Sequence, residues 1–77
     1  MMNIEIYSKS QCPFCDYAKA KAENLKRYGI AEYKVFELGK DFDREKLLEE
    51  FPFARTFPQI KVDGKSIGGW DQFKDIG

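Results

Sequence analysis

Along the chain the spacing of hydrophobic and polar positions changes several times, and each change marks an element. From Asn3 to Ser8 the two types alternate, with Ile4 and Ile6 on one face, which predicts a strand. From Pro13 to about Tyr28 the period becomes helical. Ala18, Ala22 and Leu25 form an inward stripe, and Lys19, Glu23, Lys26 and Arg27 fall on the side for water. Gly29 is placed to end this helix as its C′ residue. Tyr33 to Leu38 reads as a second strand. Asp43 then offers an N-cap for a second helix, with Phe42 and Leu47 spaced as a hydrophobic staple, and Pro52 requires that helix to finish near Phe51. Gln59 to Val62 and Lys65 to Ile67 flank Asp63-Gly64, a two-residue hairpin signal. Asp71 is placed to begin a last helix, which the end of the sequence at Gly77 leaves short.

The resulting order, βαβαββα, belongs to the α/β class. A βαβ unit makes two parallel strands joined by a right-handed crossover, and a terminal hairpin adds antiparallel strands to the same sheet. The expectation is one domain over residues 1–77, a four-stranded mixed sheet with helices on its faces. Ligands in such sheets gather at the carboxyl ends of the parallel strands, where the loop between Ser8 and Pro13 lies.

Composition narrows the classes of partner. Thirteen basic and thirteen acidic residues cancel, so there is no general electrostatic reason to expect nucleic acid. No apolar run approaches the ~20 residues of a membrane span, and the segment from Met1 to Tyr7 is too short and polar for a signal peptide. The expectation is a cytoplasmic monomer that engages neither nucleic acid nor membrane. Seven Phe and four Tyr supply bulky groups for a core at this small size.

The candidate chemistry rests on Cys12 and Cys15. Their loop is too short for a crosslink to constrain the unfolded chain appreciably. A zinc site normally needs a second ligand pair, and the chain has no His and no further Cys, so no metal is assigned. A redox pair is favoured, with half of an intermolecular metal site and a structural bridge as the alternatives. Position adds to the first reading. Cys12 directly precedes a helix, where unpaired N–H groups and the positive end of the helix dipole stabilise a thiolate. Pro13 suits the first helical turn. Cys12 is thus expected to be the exposed nucleophile, with Cys15, one turn on, the more buried resolving thiol.

The segment Tyr7-Ser8-Lys9-Ser10-Gln11-Cys12-Pro13-Phe14-Cys15 resembles the active-site segment of the glutaredoxin family. Thr56-Phe57-Pro58 resembles that family's Thr-Val-Pro, and Gly68-Gly69-Trp70-Asp71 its Gly-Gly-x-Asp, in family order and with a hairpin between them. The resemblance implies a thioredoxin-like fold and a dithiol enzyme. Such an enzyme reduces protein disulfides and glutathione mixed disulfides, with glutathione as co-substrate and no tightly bound cofactor. It implies disulfide-containing proteins as partners, with ribonucleotide reductase a candidate substrate by family resemblance.

The resemblance also assigns glutathione-binding roles. Lys9 and Arg55 would attract carboxylate, and Phe14 would form an aromatic wall. Thr56, Phe57 and a cis Pro58 would offer backbone groups to the ligand. Gly69 would permit close approach, and N–H groups around Trp70 and Asp71 would hold the γ-glutamyl carboxylate, with Asp71 also capping the last helix. Phe14 stands where the family usually has Tyr, and Phe57 where it has Val. On the second helix Arg44, Glu45 and Lys46 occupy the stretch where many relatives carry a glutathione-binding Gln or basic residue. Cluster-binding relatives usually carry a smaller residue after the first cysteine, so Pro13 speaks against an iron–sulfur carrier.

Overall fold

The computed structural model describes residues 1–76. Four strands, β1 (Met2–Ser8), β2 (Ala31–Glu37), β3 (Gln59–Val62) and β4 (Lys65–Gly68), form one sheet in the order β2-β1-β3-β4. Its first pair is parallel, with Ile6 opposite Val35, and the other two are antiparallel, with Ile6 opposite Ile60. Three helices complete the fold: α1 (Pro13–Arg27), α2 (Arg44–Glu50) and α3 (Trp70–Phe73). The expected βαβαββα order and mixed sheet are those observed. None of the described helices is long and apolar enough to cross a membrane.

Local chemistry sets the boundaries. At the end of α1 the Gly29 N–H bonds to Lys26 O and the Ile30 N–H to Leu25 O, a Schellman pair, with Gly29 at φ 73. Asp43 caps α2 by accepting from the Lys46 N–H at 2.9 Å, and Phe42 and Leu47 are both buried beside it. Asp63 and Gly64 take φ 52 and 83, both positive, as a two-residue hairpin turn requires. Strand β2 begins two residues earlier than its pattern suggests, at Ala31, because Ala31 pairs with Met2 and is buried.

The two faces of the sheet are covered differently. On one, the stripe Ala18, Ala22 and Leu25 of α1 meets Ile4, Ile6 and Ile60, with Phe73 of α3 fully buried among them. On the other, Tyr7 stands at the centre of an aromatic group, its ring 5.0 Å from those of Phe36, Phe42 and Phe51. Burial raises the Tyr7 hydroxyl above its ordinary pKa, and the carboxylates of Glu5 and Glu50 add to this. The aromatic group extends through Phe42 to Phe57, 6.4 Å away between centroids, and so reaches the loop before β3.

Candidate active site

β1 delivers the chain to the carboxyl edge of the sheet, where Leu38 N–H bonds to Ser8 O and ties the ends of the two parallel strands together. The loop then turns through Gln11, a non-glycine residue at φ 53, a left-handed conformation that a side chain seldom adopts. That turn sets Cys12 in extended geometry as the N-cap of α1, with Pro13 in the first turn. The Cys12 sulfur accepts a hydrogen bond from the Cys15 N–H at 3.2 Å, and its carbonyl accepts from Asp16 N–H at 3.1 Å. Cysteine thus takes the place that Ser or Asp usually holds at a helix start, and its sulfur receives an otherwise unpaired donor. The same bond stabilises negative charge on sulfur, as does the dipole of a 15-residue helix. The two sulfurs are paired as a disulfide, with Cα atoms 5.2 Å apart. Cys12 keeps 7% of its surface and Cys15 none. The order of exposure is as expected, but Cys12 is recessed rather than exposed.

The opposite wall comes from the loop before β3. The Phe57–Pro58 peptide is cis, and Phe57 O lies 3.8 Å from Cys12 Sγ. Gln59 Nε2 donates to Thr56 O at 2.8 Å, which holds this loop against its own strand. Across from it, Gly69 passes so near Pro58 that a Cβ there would lie 3.2 Å from Pro58 O, a space that only glycine fits easily. Between these parts lies a cleft of about 330 Å³, lined by Phe14, Thr56, Phe57, Gly69, Trp70, Asp71 and Gln72. Phe14 continues into Tyr17 and Tyr17 into Trp70, each step 5.8 Å between ring centroids, which gives the cleft one aromatic flank.

Six residues singled out in the sequence therefore meet around one cleft: Phe14, Thr56, Phe57, Gly69, Trp70 and Asp71. Pro58 is buried behind it. Lys9 and Arg55 do not line it. Lys9 Nζ stands 5.8 Å from the Phe57 ring centroid, on the flank of the site. Arg55 lines neighbouring grooves instead, one of them together with Arg44.

The cap of α3 also differs from expectation. Gly69 is the N-cap and Asp71 lies within the first turn, its carboxylate exposed and 3.6 Å from Lys74 Nζ. Gln72 does what a capping side chain would: its Oε1 accepts from the Gly69 N–H at 2.8 Å. It lies across Gly68, where a Cβ would sit 2.7 Å from Oε1, and Gly68 itself is at φ 108. Gln72 is the cleft residue that pattern reading missed. The signal was present, since Gln three residues after an N-cap is half of a capping box. Among the described residues there is no group of three or more His, Cys, Asp or Glu that could hold a metal ion.

A family model described as Glutaredoxin matches residues 4–67. Among curated proteins, Glutaredoxin-C6 of Oryza sativa is 39% identical over 71 residues, covering 88% of this chain and 60% of the rice protein. The chain thus spans about three-fifths of that relative's length. Among solved structures, reduced Escherichia coli glutaredoxin superposes with a TM-score of 0.80 at 31% identity, covering 94% of this chain and 88% of that one. A buckwheat glutaredoxin–glutathione complex gives a TM-score of 0.66 at 30% identity, covering 90% of this chain and 62% of that one.

Proposed function

The chain belongs to the glutaredoxin family, and from that premise we propose that it is a glutathione-dependent thiol–disulfide oxidoreductase. The observation that carries this reading is the sulfur of Cys12 at the N-cap of α1, bonded by the Cys15 N–H and paired with Cys15. In the reduced protein the Cys12 thiolate attacks one sulfur of a substrate disulfide. That bond breaks, one half leaves as a thiolate and takes a proton from solvent, and the other stays on Cys12 as a mixed disulfide. Cys15 loses its proton, attacks Cys12 Sγ and expels the second half. Two electrons have then passed to the substrate, and Cys12–Cys15 is oxidised. One glutathione thiolate reopens this bond at Cys12, and a second attacks the glutathione sulfur, releasing glutathione disulfide and the Cys12 thiolate. With a glutathionylated substrate, Cys12 attacks the glutathione sulfur directly and the substrate leaves as a thiol.

The 330 Å³ cleft is the glutathione site in this reading, in keeping with the relative solved with glutathione. Phe14 and Trp70 flank the ligand, and the backbone of Thr56 and Phe57 pairs with it as an added strand. Gly69, Trp70 and Asp71 receive its γ-glutamyl end. Lys9 acts from the rim beside Phe57, and Arg55 lies outside the cleft, among the grooves beside it. Disulfide-bearing proteins, ribonucleotide reductase among them by family resemblance, are the proposed partners, and the cytoplasm the proposed compartment.

Cys12→Ser and Cys15→Ser separate the roles. Cys12→Ser abolishes reduction of every substrate. Cys15→Ser abolishes reduction of protein disulfides but keeps removal of glutathione from a mixed disulfide. Activity surviving in Cys12→Ser overturns the assignment, as does a Cys12 thiol that titrates at or above the ordinary value of about 8.5. Reduction by thioredoxin reductase but not by glutathione would overturn the choice of reductant.

A further inference from the structure

Beside the cleft lies a second and larger groove, of about 520 Å³, that the exchange reaction does not use. One wall is the segment after α2, with Pro52 and Phe53, and the other is β4, with Ser66 and Gly68. Thr56, Gly69 and Gln72 line both hollows, so the groove opens directly off the cleft. Phe53 is 94% exposed, an aromatic ring left in water at the wall of a hollow. Arg55 is the one charged residue among the described lining, and it forms no ion pair with any described residue. β4 is an edge strand, so its outward backbone groups are open to an extended chain.

We propose that this groove seats the polypeptide that flanks the reacting disulfide in a protein substrate. It selects an extended segment carrying an apolar side chain for Phe53 and a carboxylate for Arg55. The proposal rests on the thiol–disulfide reading above. The two hollows divide the work: the cleft takes the small thiol, and the groove tells one protein substrate from another. Apolar contact with an exposed aromatic wall supplies affinity, and a single unpaired guanidinium supplies the preference for acid. A second copy of this chain is a poorer occupant, because its balanced charge offers no excess of carboxylates to Arg55.

The test uses the whole chain and three glutathione mixed disulfides: a cysteine-containing tripeptide, a longer peptide with Leu and Glu beside its Cys, and the same peptide with Lys for Glu. The Glu peptide is expected to exceed the Lys peptide in kcat/KM by about threefold at low salt, the advantage shrinking as salt rises. Phe53→Ala lowers kcat/KM for the longer peptides by about fivefold and leaves the tripeptide unchanged. Ser66→Glu lowers it for the Glu peptide alone. Equal rates for the two longer peptides, unmoved by Phe53→Ala while the tripeptide is turned over, overturn the proposal and leave the oxidoreductase reading standing. No turnover of the tripeptide overturns that reading instead. Docking is then judged by calorimetric titration with the Glu peptide carrying Ser for Cys. Binding weakened by Phe53→Ala supports the groove, and binding equal to that of its Lys counterpart overturns it.

Discussion

The two faces of the sheet solve the same burial problem with different materials. Beneath α1 the core is aliphatic, and Ala18 and Ala22 bring a 15-residue helix close over Ile4, Ile6 and Ile60. On the other face α2 has only seven residues, and rings do the covering: Tyr7, Phe36, Phe42 and Phe51 lie over the carboxyl half of the strands. Toward the amino end of the parallel strands that face is bare, with Asn3, Glu32 and Lys34 exposed. The aliphatic side holds the fold together. The aromatic side runs through Phe57 into the cleft, so there one material serves both the packing of the core and the lining of the cleft.

This division can be broken by substitution. Ile60→Ala, at a fully buried position in the same core cluster as the stripe of α1, is expected to cost about 2–5 kcal/mol, read from denaturant unfolding. Turnover per folded molecule should stay near wild type. Phe57→Ala removes a half-buried ring and should cost only about 1–2 kcal/mol of stability, while raising KM for a glutathione mixed disulfide severalfold. A stability loss for Phe57→Ala equal to that for Ile60→Ala would mean that both faces are structural alike.

The smallest expected effect concerns the border of the aromatic group, where Lys61 Nζ bonds to Glu50 and lies 5.6 Å from the Phe51 ring centroid. The hydrogen bond from Lys61 holds the Glu50 carboxyl below its ordinary 4.5, with the charges of Lys61 and Lys46 adding. A depressed carboxyl stabilises the fold above its unfolded pKa and loses that contribution as pH falls through the folded one. The stability gap between wild type and Lys61→Met should therefore be present at neutral pH and close as pH falls below 4.5. The hydrogen bond to Glu50 also raises Lys61 above 10.5, so its share is lost only at still higher pH.

Most of the fold was legible because it is written in local signals. Period, the caps at Asp43 and Gly29, and the Asp63-Gly64 turn each act over a few residues, and each landed within two residues of the observed boundary. The pairing of Cys12 with Cys15 at a helix start was legible for the same reason. What escaped depends on which parts meet through space. Arg55 adjoins Thr56 in the chain, yet it lines the grooves beside the cleft and not the cleft itself. The start of α3 is fixed by Gln72 reaching back over two glycines, so a capping residue sought at Asp71 was sought in the wrong place. The aromatic group around Tyr7 joins β1, β2 and the two ends of α2, and no stretch of pattern displays it.

Trp70 is the chain's one tryptophan, and it stands with its back to buried Phe73, 6.4 Å between centroids, and its front lining the cleft. The protein therefore carries a built-in optical reporter on the wall of the cleft proposed to take glutathione. Emission from this indole has a single origin, so its intensity and wavelength follow solvent access at the cleft without contribution from any distant site. A ligand that displaces water from the indole should shift that emission to the blue, and a substrate confined to the groove behind Phe53 should leave it nearly still.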